Sequence, residues 1–82
     1  MLFLIEYDRQ RGTVVTLMEF DESERKKAGD SRLELELTLN RRGIQHEVVL
    51  LEALDEDALR RTHRRYFEDL GELASTPNGI AK

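Results

Sequence analysis

Leu2-Phe3-Leu4-Ile5-Glu6-Tyr7 places five apolar or aromatic residues in six positions, so the alternation of a half-exposed strand is lost. Such a run predicts a strand covered on both faces, and therefore central in its sheet. Asp8 to Gly12 carries turn residues, and Thr13 to Phe20 is a second strand by its β-branched content. The short link makes the pair an antiparallel hairpin. Asp21 stands three residues before Glu24, in the arrangement of a capping box, and predicts a helix from there to about Arg42. Gly43 is placed just beyond its end, and Arg41 and Arg42 suit the negative end of the helix dipole. Inside this helix, Leu33 to Leu39 alternates with period two, which is a strand signal. Leucine and glutamate are good helix formers, however, and Thr38 is the one β-branched residue of the segment, so a helix is read. Ala28, Leu35 and Leu39 then share one face, while Leu33 and Leu37 fall nearly opposite. That second stripe calls for cover from the C-terminal helix or from another chain. Gly29 in the helix interior costs roughly 1 kcal/mol relative to alanine.

Ile44 to Glu52 begins polar and becomes a continuous apolar run, a third strand. Asp55, Glu56 and Asp57 open the last helix at the end where the dipole favours acids. Its inner face is read as Leu59, Thr62, His63, Tyr66, Phe67 and Leu70, with Gly71 as its stop. The fold class expected is α+β, in the order ββαβα. It has a three-stranded antiparallel sheet of order 2-1-3 and two helices packed on one face. Residues 1–71 form a single domain and 72–82 a mobile C-terminal tail. With both helices on one side, the other sheet face is expected to stay uncovered, which makes the domain a candidate homodimer.

Length and composition narrow the class further. Eighty-two residues allow one core. Apolar residues make up 39% and charged ones 37%, and the apolar ones are clustered, which fits a folded domain. A net charge of −4 argues against a general polyanion binder but permits a local basic patch. The absence of cysteine excludes a disulfide scaffold, a thiol nucleophile and Cys-based metal sites. A small domain without disulfides is expected in the cytoplasm. Met1 to Ile5 is too short for a signal-peptide core.

Arg60-Arg61-Thr62-His63-Arg64-Arg65 is the most unusual string. On one helix, Arg60 and Arg64 would stack at i,i+4, as would Arg61 and Arg65. Four guanidinium forks could grip phosphates. Each also has an acid at the same spacing: Glu56, Asp57, Glu68 and Asp69. A self-neutralised solvated face is therefore the reading preferred. Arg60, Arg61, Arg64, Arg65 and His63 are the candidate binding residues, with His63 read as a packing histidine on the inner face. His46, at the start of the third strand, is expected at the surface. No third metal ligand accompanies the histidines, Ser23 and Ser31 lack a nucleophile-elbow context, and no glycine-rich phosphate loop is present. No catalytic, metal or cofactor site is expected. Glu24-Arg25-Lys26-Lys27, and Arg9 with Arg11 at the hairpin tip, read as solvated charge.

The stretches LFLIEYDR, SERKKAGDSRLELELTLNRRGI, HEVVLLEA and LRRTHRRYF resemble a set of short bacterial hypothetical proteins, over roughly residues 2 to 68. The resemblance implies a bacterial source and a compact stand-alone domain, and carries over no site residue. The function expected is a small non-enzymatic protein-interaction domain that associates with itself or with another protein. A nucleic-acid- or phosphate-binding regulator using the arginine-rich segment is the alternative, and an enzyme ranks last.

Overall fold

Asp8 and Gly12 close the first hairpin of the structure, a computed structural model that describes residues 1–67. The Asp8 carboxylate accepts the amides of Gln10 and Arg11 at 3.0 and 3.2 Å. Gly12 turns the chain with φ 68°, a conformation that side chains disfavour, and donates its amide to the Asp8 carbonyl at 2.8 Å. The strands so joined are β1, Leu2–Asp8, and β2, Thr13–Phe20. Their antiparallel register sets Leu4 opposite Met18 and Glu6 opposite Thr16. It then shifts, so that Tyr7 faces Val14 and Val15 bulges out.

The capping box at Asp21 is present. The Asp21 carboxylate accepts the Ser23 amide at 3.1 Å, and Glu24 reaches back to the Asp21 amide at 3.1 Å. A 3-10 turn, Glu22–Glu24, leads into helix α1, Arg25–Arg41. Gly43, at φ 69°, stops it. The Ile44 amide returns to the Leu39 carbonyl at 2.9 Å and the Gly43 amide to that of Asn40 at 3.2 Å, which is the Schellman arrangement. The period-two leucines thus lie in a helix, divided as their spacing requires. Leu39 is buried and Leu35 packs into the core, while Leu33 and Leu37 stay exposed. Strand β3 is Glu47–Glu52, shorter than the Ile44 start expected. Helix α2 is Glu56–Thr62, followed by a 3-10 turn, Arg64–Tyr66. Leu70, Gly71 and the tail expected over 72–82 lie outside the described residues.

The sheet order is β2-β1-β3, with β1 antiparallel to both neighbours. This is the α+β architecture expected, with one correction: the two helices pack on opposite faces of the sheet. On one face Leu2, Leu4 and Phe20 meet Ala28 and Leu35 of α1, together with Val48 and Leu50. On the other, Phe3 and Ile5 meet Leu59 of α2 and Tyr66 of the last turn, with Val14, Leu17, Val49 and Leu51 around them. The physical reason lies in β1 itself, whose Phe3, Leu4 and Ile5 are at most 1% exposed. Helices on one side only would leave half of these side chains in water, at about 1.5–3 kcal/mol for each. The uncovered sheet face therefore does not exist, and an interface cannot be argued from it. Among the described residues, no helix is long and apolar enough to cross a membrane.

Candidate functional site

The arginine-rich segment does not form one helix face. Asp55 caps α2 by accepting the Ala58 amide at 2.8 Å, and the helix ends after Thr62. His63 turns the chain out of helical geometry, with φ −118° and ψ 55°. Arg60 and Arg61 thus sit on α2, whereas Arg64 and Arg65 sit on the turn beyond it. Arg60 makes the expected pair, donating Nε and Nη2 to Glu56 at 3.0 and 2.7 Å, and its guanidinium lies 4.6 Å from the Phe67 ring centre. Arg61 makes no ion pair among the described residues, so the bridge to Asp57 does not form. Arg60, Arg61 and Arg64 line an open depression of about 440 Å³. Glu68 and Asp69 fall outside the described residues.

Arg65 has a different role from the one its spacing predicts. Its Nη2 donates to Glu47 at 2.8 Å and lies 2.6 Å from the Tyr66 hydroxyl, while its guanidinium stacks 4.2 Å from the Tyr66 ring centre. Tyr66 donates its hydroxyl to the same Glu47 oxygen at 2.7 Å. The Tyr66 hydrogen bond, with help from the Arg65 charge, holds the Glu47 carboxyl below the ordinary range, and burial with the nearby Glu47 charge pushes the Tyr66 hydroxyl up. Tyr7 adds an edge-on ring contact to Tyr66 at 5.1 Å and a hydrogen bond to the Arg65 carbonyl at 3.3 Å. These contacts fasten the last turn to β3. His63 is half-buried with its ring 6.5 Å from that of Tyr66, as fits a packing residue.

A second polar cluster went unseen in the sequence. Glu6, 6% exposed, is the buried charged residue of β1. Its Oε1 accepts the Thr16 hydroxyl at 2.8 Å, and its Oε2 lies 2.6 Å from Nδ1 of His46. The other ring nitrogen of His46 stands 3.6 Å from Asp8. His46, expected at the surface, is thus lodged between two carboxylates. The available signal was Glu6 itself: a charge within a doubly covered strand must find partners. No described serine joins the cluster, and no described group of three such side chains could hold a metal ion.

His46 also borders a groove of about 370 Å³ between α1 and β3, lined by Leu33, Leu37, Leu39, Ile44 and Val48, with Glu36 and Asn40. Leu33 is 56% and Leu37 48% exposed. Helix α2 lies across the sheet and covers neither. Beside the groove, β3 is bonded to β1 on one side, and its other edge has no strand partner among the described residues. The site therefore offers an apolar helix stripe, an apolar groove and an open strand edge together. A scan of protein-family models, a search of curated proteins and a search of solved structures each return no match to this chain.

Proposed function

We propose that the chain is a non-enzymatic protein-interaction domain that associates with itself through the side where α1 and β3 meet. The observation that carries this reading is the exposed pair Leu33 and Leu37 beside the groove formed with Ile44 and Val48. Large apolar side chains remain in water here next to an unpaired edge, as Val15 and Met18 do on β2, whose edge is bulged. Light scattering across a concentration series tests it. The wild-type chain is expected to reach twice its 9.6 kDa mass. The double variant Leu33→Glu/Leu37→Glu, which replaces no buried residue, is expected to stay at 9.6 kDa with an unchanged circular dichroism spectrum. A wild-type monomer at every concentration overturns the reading, as does a double variant that still dimerises.

A second reading has its own observation, the depression lined by Arg60, Arg61 and Arg64. Contact there with phosphate groups would weaken steeply with salt, because bound counterions are released. Unchanged affinity for a nucleic acid in Arg61→Glu/Arg64→Glu excludes it.

A further inference from the structure

We infer that His46 is a pH-sensitive latch: as an imidazolium it fastens the connection between α1 and β3 to β1, and as a neutral imidazole it lets that connection loosen. The inference goes beyond the interface reading and concerns a single chain.

Glu6 supplies the first half of the argument. It is 6% exposed, and among the described residues no lysine or arginine forms an ion pair with it. A buried carboxylate without a counter-ion is costly. The neighbour that can carry positive charge is His46, whose Nδ1 lies 2.6 Å from Oε2, the short separation of a charge-assisted hydrogen bond. Thr16 satisfies the other oxygen, but as a neutral donor.

Asp8 supplies the second half. Nε2 of His46 stands 3.6 Å from Asp8 Oδ2, too far for a hydrogen bond but within reach of an ion pair. A neutral ring has one N–H, and Glu6 takes it, which leaves a lone pair turned toward a second carboxylate. A protonated ring has two N–H groups, one for each acid. The other charges around the ring do not replace it. Arg11 stands 3.7 Å from the same Asp8 oxygen and shares that acid with His46. Glu36 of α1, which lines the groove with His46, lies 3.9 Å from Arg32. Glu47, the next residue along the chain, is held by Arg65 and Tyr66, with Arg9 at 4.0 Å. Glu6 is thus the anion of this cluster that depends on the ring.

The place of His46 in the chain gives protonation a structural effect. The residue ends the connection that leaves α1 at Gly43, and β3 starts directly after it. Its side chain is 20% exposed and lines an open depression of about 290 Å³ with Asp8 and Gly43, so protons can reach it from water. It also lines the groove with Ile44 and Val48. A ring held at both nitrogens fixes this wall of the groove to β1, and a ring held at one nitrogen leaves it a single tether.

Urea melts from about pH 5 to about pH 8, the range in which imidazole changes charge, compare the wild type with His46→Gln, alone and combined with Glu6→Gln. The amide of His46→Gln can still donate to Glu6 but carries no charge. An imidazolium contributes only while it is protonated, so the loss caused by His46→Gln should be largest at about pH 5 and shrink toward about pH 8. With Glu6→Gln in place, that pH dependence should disappear. Hydrogen exchange of the unmodified chain is the second readout. Protection factors of the Ile44 to Val48 amides, already corrected for intrinsic exchange, should fall roughly tenfold over the same rise, the size of one hydrogen bond to a charged group. A loss in His46→Gln that is level with pH, or that grows toward neutrality, overturns the inference. So does protection at Ile44 to Val48 that falls no more than that of β2, or a pH dependence that survives Glu6→Gln. A pH dependence that vanishes on dilution belongs to association between chains and overturns the latch as well.

Discussion

Adding one methyl group at Gly29 and at Gly43 should move stability in opposite directions. Gly29 lies in the first half of α1, and a Cβ built there meets nothing within 4 Å. Alanine at this position restricts the unfolded chain and suits the helix, a gain of about 1 kcal/mol. A Cβ at Gly43 also meets nothing within 4 Å, so crowding is equally absent. There the backbone stands at φ 69°, where a side chain crowds its own carbonyl, a cost of roughly 1–2 kcal/mol. The Schellman bonds from Gly43 and Ile44 to α1 depend on that conformation. Identical chemistry in equally open surroundings therefore separates backbone conformation from packing. For a chain of this size, 1 kcal/mol corresponds to a shift of roughly 4–8 °C in Tm. Thermal and urea melts of Gly29→Ala, Gly43→Ala and the double variant measure both terms. The double variant should fall near the sum, since the two sites share no partner. A loss of stability in Gly29→Ala, or a gain in Gly43→Ala, would refute the assignment of Gly29 to a helix interior and Gly43 to its stop.

Two further outcomes follow from the polar clusters. Glu6→Ala strands the Thr16 hydroxyl and the His46 ring beneath α1 and should cost about 2 kcal/mol. Glu6→Gln, which keeps an acceptor for Thr16, should cost less, and equal losses in urea melts would show that this retained hydrogen bond contributes nothing. The Glu47 carboxyl is depressed below its usual 4.5, chiefly by the Tyr66 hydroxyl, so its contribution is present above that value and disappears as pH falls through the folded one. Tyr66→Phe should therefore lose stability at neutral pH and approach the wild type as pH falls below the ordinary carboxylate range, and parallel curves would refute the link.

The parts of the fold that are legible in the sequence are those written in contiguous residues. Asp8 with Gly12, Asp21 with Glu24, and Gly43 after two arginines each complete their hydrogen bonds within a few positions, and each element boundary they mark is present. The split of Leu33 and Leu37 from Leu35 and Leu39 needs nothing but helix geometry. Side-to-side assignment is different. Because β1 is apolar on both faces, its sequence cannot say which helix covers which face. In the structure α2 lies on the face of Phe3 and Ile5, with Ala53 packed into the same cluster. The partners of Glu6 were equally hidden, with His46 forty positions away. Arg65 was assigned an acid by helical spacing, but the helix stops at Thr62, so the spacing has no meaning beyond it, and the arginine turns to Glu47.

Correcting the helix placement also moves the proposed interface from a sheet face to the side where α1 and β3 meet. A strand that is apolar on both faces implies two covers, and this chain supplies both from its own helices. Among the described residues, what is left incomplete is lateral: β1 has a neighbour on each side, while β2 has a bulged outer edge and β3 an apolar outer edge whose acids are held by Arg65 and Arg25. The exposed leucines of α1 border the same side. Association by stacking sheet faces would require α1 or α2 to leave the core, giving up the burial of Ala28 and Leu35 or of Leu59 and Tyr66. Association on the α1/β3 side requires no such rearrangement. Association on that side thus leaves the native fold intact, whereas face stacking would compete with it.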